Sequence, residues 1–333
     1  MGRPGCGQVC CFGKGRNMKY NKLGRTGIEV SELCFGILPM GPLQAGISAE
    51  AGGELILSAM RQGVTFFDSA QMYGSYQHLR YALDRFEGQV VITGKSVAAD
   101  YEGMSRAIEE GLAALGRDYF DIFLLHAARV GADILQQRSG AWQCLQDYKA
   151  KGLVRAIGVS THNVEAVYHL ADEEEVDVIF CLYNKIGLGI INGTPGDMLA
   201  AAEKAAAKGK GVYSMKLLAG GNLLASLPEA IAFGRKEPCF AAHAVGMIYP
   251  AELEINLRLF NDQPVEQAEL DAVRHDKQWQ LMAAVCQGCG KCIGNCHSDA
   301  LYMEGGKPHL LKEKCVLCGY CASECPEFAI RVR

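Results

Sequence analysis

Long apolar runs are missing from this 333-residue chain. No stretch approaches the roughly 18 apolar residues of a spanning helix, which argues against a membrane protein. The first seventeen residues also lack the apolar centre of a signal peptide, so a soluble, cytoplasmic protein is expected. Charge of one sign is equally scarce: 33 Lys and Arg stand against 37 Asp and Glu, a formal charge of -4 without a basic block. Nothing there suggests a polyanion-binding surface, and nucleic acid is not an expected partner. Proline is low, at 10 against 39 glycines, and charged residues make up 21%, a globular composition that excludes collagen-like or disordered chains. No Gly-x-Gly-x-x-Gly follows the first apolar strand, which disfavours a doubly wound dinucleotide-binding sheet. At this length one large and one small domain are expected.

Cysteine, by contrast, is plentiful. Of 15 cysteines, eight fall in the last 48 residues at fixed spacing. Cys286-x-x-Cys289-x-x-Cys292-x-x-x-Cys296 recurs 29 residues later as Cys315-x-x-Cys318-x-x-Cys321-x-x-x-Cys325-Pro326, so the tail is an internal duplication. A disulfide framework does not explain such a repeat. Three thiolates at this pitch can wrap one face of an iron-sulfur cubane, while the fourth reaches a second cluster. Paired zinc knuckles are the alternative, but two Cys-x-x-Cys pairs would leave the third cysteine and the closing proline without a purpose. His297 stands where the first repeat would carry that proline, and with the cysteine set complete it reads as a neighbour tuning a cluster. Gly305-Gly306 reads as a hairpin turn. Residues 284 to 333 resemble the bacterial ferredoxins that hold two 4Fe-4S clusters in a small α+β domain. That resemblance implies Cys286, Cys289, Cys292 and Cys325 around one cluster, and Cys315, Cys318, Cys321 and Cys296 around the other.

Upstream, short apolar runs alternate with amphipathic stretches. Strands are expected at 30–36, 65–68, 90–95, 121–126, 154–160, 176–183, 211–217 and 240–247. Helices lie between them, among them 49–62, 105–115, 164–171 and 198–208, where apolar residues recur at three and four. Eight strand-helix units predict an α/β chain folded as a (β/α)₈ TIM barrel. Such barrels carry their chemistry at the carboxyl ends of the strands. Asp68, Lys95 and His126 end the second, third and fourth strands, and Tyr73 follows five residues after Asp68. Each has a dull reading alone: a helix cap, a snorkelling lysine, a structural histidine, a packed phenol. Together they are coherent. A buried Lys95 cation beside Tyr73 is expected to lower the phenol's pKa, with Asp68 keeping Lys95 charged. His126 is expected to hold a carbonyl oxygen as negative charge develops on it.

Leu23-Gly24-Arg25-Thr26-Gly27, Phe67-Asp68-Ser69-Ala70-x-x-Tyr73-Gly74, Thr93-Gly94-Lys95 and Ile157-Gly158-Val159-Ser160 look like the aldo-keto reductases, over about residues 18 to 262. Met215-Lys216-x-Leu218-Ala219-Gly220-Gly221 and Val245-Gly246-Met247 resemble the branch with an appended ferredoxin-like module. The resemblance implies an oxidoreductase acting on a small-molecule carbonyl, with Tyr73 as general acid and Asp68, Lys95 and His126 completing a tetrad. It further implies NAD(P)H held at Ser160, Met215, Lys216, Ala219, Gly220, Gly221, Gly246 and Asn256. Backbone N–H groups of Ala219-Gly220-Gly221 could cradle its pyrophosphate. Thr161, Phe180, Ile248 and Ile255 depart from the family pattern around that nucleotide, and with Ile248 in place of the arginine that grips the 2'-phosphate, no preference for NADP is implied.

Three arrangements follow: hydride reduction with accessory clusters, reduction driven through the clusters by a ferredoxin-like redox partner, or an electron-transfer subunit with a scaffold barrel. Residues 263 to 283 are expected to form a helical linker, with Leu270, Val273 and Leu281 on its apolar face. Residues 1–17 read as a leader or an upstream start, since the family tends to begin near Met18; Cys6, Cys10 and Cys11 could alternatively serve a further metal.

Overall fold

The computed structural model describes residues 18–273, 278–284, 286–327 and 329–332. The expected leader, with Cys6, Cys10 and Cys11, lies outside the described residues.

Eight parallel strands close into a barrel: β3 (Leu33–Gly36), β4 (Phe66–Asp68), β5 (Val91–Ser96), β6 (Phe120–His126), β7 (Val154–Thr161), β8 (Val178–Leu182), β9 (Gly211–Met215) and β10 (Ala242–Gly246), with β10 pairing back onto β3. The expected first strand divides. Its opening residues form β2 (Glu29–Ser31), which pairs antiparallel with β1 (Tyr20–Lys22) in a separate hairpin. Leu23, Ile28 and Val30 of that hairpin pack with Phe66, Ile122, Leu124, Val178, Phe180 and Tyr213 in the barrel interior.

Strand periodicity decides which side chains reach that interior. In β6, Ile122 and Leu124 point inward while Phe123 and Leu125 join the outer core under the helices. His126 shares the parity of Ile122 and Leu124, as Asp68 shares that of Phe66 and Lys95 that of Val91, so these three side chains face the barrel axis at the carboxyl ends of their strands. The helices start and stop where local chemistry dictates. Ser48 caps Ala49–Arg61, Asp100 caps Tyr101–Leu115 before Gly116 ends it in the left-handed region, and Thr194 with Asp197 forms a capping box for Pro195–Ala207.

The linker departs from expectation. Among its described residues it is helical over Gln267–Ala272, and Leu281 belongs to a strand, β11 (Trp279–Leu281), paired antiparallel with β14 (Ile330–Val332). Main-chain pairing with the far end of the tail outweighs the helical spacing of its apolar residues. Between them β12 (Leu301–Glu304) and β13 (Lys307–Leu310) form a hairpin across Gly305-Gly306, both at positive φ, as expected. Among the described residues no helix is long and apolar enough to cross a membrane.

Candidate active site

Lys95 sits at the centre of the carboxyl rim with no exposed surface. Its Nζ donates to Asp68 Oδ1 at 2.7 Å, Asp68 Oδ2 at 2.6 Å and the Ser69 carbonyl at 2.7 Å. Those three bonds exhaust an ammonium's three protons. Tyr213 adds a hydroxyl to Asp68 Oδ1 at 3.2 Å, held there by stacking on Phe180 with ring centroids 3.9 Å apart. Tyr73 arrives on a 3-10 turn, Gln71–Tyr73, and presents its ring face to Lys95 Nζ at 5.0 Å. His126 meets Tyr73 edge to face, with ring centroids 5.9 Å apart. The four expected residues therefore do converge.

Their electrostatics differ from expectation. Burial first, then the neighbouring Tyr320 and Asp68, push the Tyr73 phenol well above its usual range. The expected lowering by Lys95 is outweighed: its protons are committed to Asp68 and Ser69, it meets the ring face at 5.0 Å and not the hydroxyl, and burial sets the net direction. The phenol therefore stays protonated at neutral pH. Burial, with Lys95 nearby, also holds His126 well below the ordinary imidazole range, so it is neutral. His162 is held down in the same way, and burial takes His243 to about 3.

These histidines fix an acid limb of stability. Below the unfolded value of about 6.5 the unfolded chain binds protons that the folded chain refuses, so stability falls as pH drops. Thermal unfolding followed from pH 7 to pH 4 is expected to steepen by up to about 1.4 kcal/mol per pH unit for each such histidine. His243→Gln is expected to flatten the slope.

The tail roofs this rim. Asn222 Nδ2 donates to the Cys315 carbonyl at 3.2 Å, Gln44 Nε2 to the Cys318 carbonyl at 3.3 Å, and Arg129 Nη1 to the Cys296 carbonyl at 2.9 Å. Arg129 also pairs with Asp299. A methyl group on Gly220 would lie 1.7 Å from the Val316 carbonyl oxygen, so backbone packs directly on backbone. Tyr320 descends between Cys318 and Cys321 until its hydroxyl stands 3.3 Å from His126 Nε2 and shares a hydrogen bond with the Tyr73 hydroxyl.

Sequence reasoning missed Tyr320, although the duplication carried a signal. Aligning the repeats sets Val316, Leu317 and Tyr320 against Gln287, Gly288 and the exposed Lys291. The second repeat is apolar where the first is polar, which marks the face that docks. Leu317 and Gly288 share a positive φ, 48° and 70°. A leucine is rare there, and this one faces the cavity between tail and barrel.

That cavity measures about 420 Å³ and is lined by Tyr73, Asp68, Phe180 and Tyr320 at its inner end. Met215, Lys216, Gly220, Gly221 and Gly246 of the expected nucleotide set line it, while Ser160, Ala219 and Asn256 do not. Ser160 pairs in register with His126. Asn256 turns its amide to the Glu252 carbonyl at 2.8 Å. The expected backbone cradle is altered, since the Ala219 and Gly221 N–H groups bond to the Lys216 and Leu218 carbonyls at 2.7 and 2.9 Å within their own turn. Lys216 Nζ is buried with no hydrogen-bond partner among the described residues.

The eight tail cysteines fall into two sets. Cys292 has Cys289, Cys325 and Cys286 as electrostatic neighbours, whereas Cys321 has Cys318, Cys296 and Cys315. Backbone N–H groups repeat across the duplication, from Gly288 to Cys286 Sγ and Leu317 to Cys315 Sγ at 3.4 Å, and from Ala300 to Cys296 Sγ and Ala329 to Cys325 Sγ at 3.2 Å. Among the described residues no three His, Cys, Asp or Glu side chains are grouped closely enough to hold a single metal ion.

The aldo/keto reductase family profile matches residues 32–262, and a 4Fe-4S binding domain profile matches residues 308–331. L-galactose dehydrogenase of Arabidopsis thaliana is 27% identical over 218 residues, 62% of this chain and 67% of that protein. The Bacillus subtilis aldo-keto reductase YhdN is 28% identical over 165 residues, 44% of this chain and 48% of that one. This chain thus spans from about half to two thirds of these relatives. Among solved structures, a proposed aldo-keto reductase of Pseudomonas aeruginosa is 25% identical, covers 73% of this chain and 94% of its own, and superposes with a TM-score of 0.62. An aldo-keto reductase of Bacillus halodurans, 16% identical with 78% and 97% coverage and a TM-score of 0.61, shares the fold. With its rim constellation on a closed barrel and the profile spanning more than half of its length, this chain belongs to the aldo/keto reductase family of oxidoreductases.

Proposed function

We propose that the protein reduces the carbonyl group of a small molecule held between barrel and tail, with NAD(P)H as reductant and Tyr73 as proton donor. The observation that carries this reading is a neutral, buried phenol over the Asp68–Lys95 pair, at the floor of a cavity of about 420 Å³. That size is ordinary for a small-molecule site.

The residues present fit a nicotinamide nucleotide in part. Met215, Gly220, Gly221 and Gly246 supply wall, and the unpartnered Lys216 ammonium suits a phosphate oxygen. NAD(P)H would supply hydride to the carbonyl carbon. This chain's own residues do the rest. Tyr73 gives its proton to the oxygen once that oxygen becomes strongly basic, Asp68 fixes Lys95, and the Lys95 charge under the ring favours the anionic transition state. The apolar wall of Phe180, Met215, Leu317 and Tyr320 keeps water away. Anaerobic assays of 4-nitrobenzaldehyde with NADH and NADPH in turn are expected to show turnover with at least one nucleotide; activity with neither removes the reading.

The two cysteine sets suit two 4Fe-4S clusters, which pass electrons singly. Anaerobic reconstitution is expected to load about eight iron atoms per chain, and Cys292→Ala and Cys321→Ala to lose about half each. Iron analysis and absorbance check this, and a count near four in the unaltered chain refutes two clusters.

Cys318 lines the same cavity as Tyr73, which favours one second reading: electrons entering from a ferredoxin-like partner and reaching the substrate through the clusters. Turnover with dithionite or reduced ferredoxin, none with NAD(P)H, and loss on Cys318→Ala would select it.

A further inference from the structure

We infer that Lys216, which follows β9 of the barrel, holds the cluster of Cys296, Cys315, Cys318 and Cys321 at a higher reduction potential than its twin, so that an electron entering the tail settles beside the reaction cavity. This rests on the two-cluster reading proposed above.

The four cysteines of that set line one small internal cavity. Val316, Leu317 and Cys318 belong both to its wall and to that of the reaction cavity, which Lys216 also lines. The turn that begins at Lys216 presses on the cysteine loop. Gly220 packs against the Val316 carbonyl, Asn222 donates to the Cys315 carbonyl at 3.2 Å, and Lys216 Nζ lies 5.7 Å from the centre of the Tyr320 ring. Lys216 itself has φ 58°, the left-handed region that a residue with a Cβ seldom adopts. Its carbonyl is fixed there by the Ala219 N–H at 2.7 Å.

A buried ammonium without a partner is costly. Lys216 Nζ is buried and makes no hydrogen bond among the described residues. The two carboxylates that line the reaction cavity are engaged elsewhere, Asp68 with Lys95 and Glu252 with the Ile248 and Tyr249 N–H groups at 2.6 and 3.1 Å. Burial pulls the ammonium below the usual lysine range, and the negative groups that oppose this are Cys318 and then Cys315. The charge that answers Lys216 is therefore that of the second cysteine set.

Reduction makes a cubane more negative by one charge, since it passes electrons singly. A cation in a medium of low dielectric favours that form more strongly than a hydrated cation does. The cations near the first set are of the hydrated kind. Cys289 and Lys291 are exposed there, and Lys307, which donates to the Cys286 carbonyl, is half-buried. The repeated motif alone would give two equal clusters, and contact with the barrel makes them unequal.

The test uses the full-length protein with its clusters reconstituted, as wild type, Lys216→Met and Lys216→Arg. Each is titrated anaerobically with dithionite and followed by electron paramagnetic resonance, without nucleotide, whose phosphate would engage the same ammonium. Iron analysis checks that the clusters are intact, and Cys292→Ala and Cys321→Ala assign the two steps. The expected result is a higher step that survives in Cys292→Ala and falls in Lys216→Met by about tenfold in its equilibrium constant, about 59 mV for a one-electron couple, while the lower step stays in place. Lys216→Arg, which keeps the charge, should keep the wild-type order. Should Lys216→Met lose iron, Lys216→Gln takes its place with the same expected fall. A higher step that belongs to the Cys286 set, or an equal fall of both steps, overturns the inference. So does a fall in Lys216→Arg as large as in Lys216→Met, which would mark a structural disturbance. An iron count near four in wild type removes the two-cluster reading and the inference with it. Two intact clusters whose steps stay unmoved in Lys216→Met leave that reading standing and remove the role of Lys216 alone.

Discussion

Replacing Tyr73 by Phe is expected to lower NAD(P)H-dependent carbonyl turnover by about 10²- to 10⁴-fold, the range a positioned proton donor supplies. The change removes one oxygen atom from a side chain that is 5% exposed, and the remaining ring keeps its contacts with Lys95 and His126. Stability should therefore change little. Because burial and the neighbouring Tyr320 and Asp68 hold the phenol protonated, the loss should appear in kcat at every pH near neutrality. Steady-state kinetics under anaerobic conditions, with cluster absorbance as control, measure it. Unchanged turnover would remove Tyr73 from the reaction.

The second large effect is on folding. Asp68→Asn leaves the fully buried Lys95 ammonium without its anion, and breaking one side of a buried pair typically costs about 3 to 5 kcal/mol. At about 2 to 4 °C per kcal/mol for a domain of this size, Tm should drop by roughly 6 to 20 °C. The deficit should also depend on pH. Burial already pulls the Lys95 ammonium below the usual lysine range, and loss of Asp68 removes what opposes that pull. The unfolded chain then binds a proton that the folded variant rejects, so the variant gains stability as pH rises through the folded pKa toward about 10.4. Thermal melts at pH 7 and pH 9.5 test both parts. A loss below about 1 kcal/mol at pH 7 would mean that the ammonium finds other partners.

Much of the architecture was legible in the chain. Each barrel strand was marked by a short apolar run, and observed boundaries such as Phe120–His126 and Val154–Thr161 lie within a residue of those expected. Strand parity then placed Asp68, Lys95 and His126 on one rim, because a period of two leaves a strand's terminal side chain a single choice of face. What sequence did not disclose was how donors and protons are shared there. Lys95 could be placed beside Tyr73, but its commitment to both Asp68 oxygens and the Ser69 carbonyl depends on approaches of a few tenths of an ångström. The linker misled because Leu281 fits a helical spacing, yet pairing with Ile330 lies far along the chain. The docking of the tail was hidden for the same reason, although Val316, Leu317 and Tyr320 recorded it against their polar counterparts in the first repeat.

The roof over the rim has one more consequence. Val316, Leu317, Cys318 and Tyr320 come from a 48-residue segment too short to bury a sufficient core unaided, and segments of that size usually lean on metal or disulfides to fold. If iron and sulfide supply that support, the reaction chamber is finished last, after cofactor assembly. A cell starved of iron, or flooded with oxygen, would then hold well-folded barrels standing open above, and supply of an inorganic nutrient would govern an organic reduction.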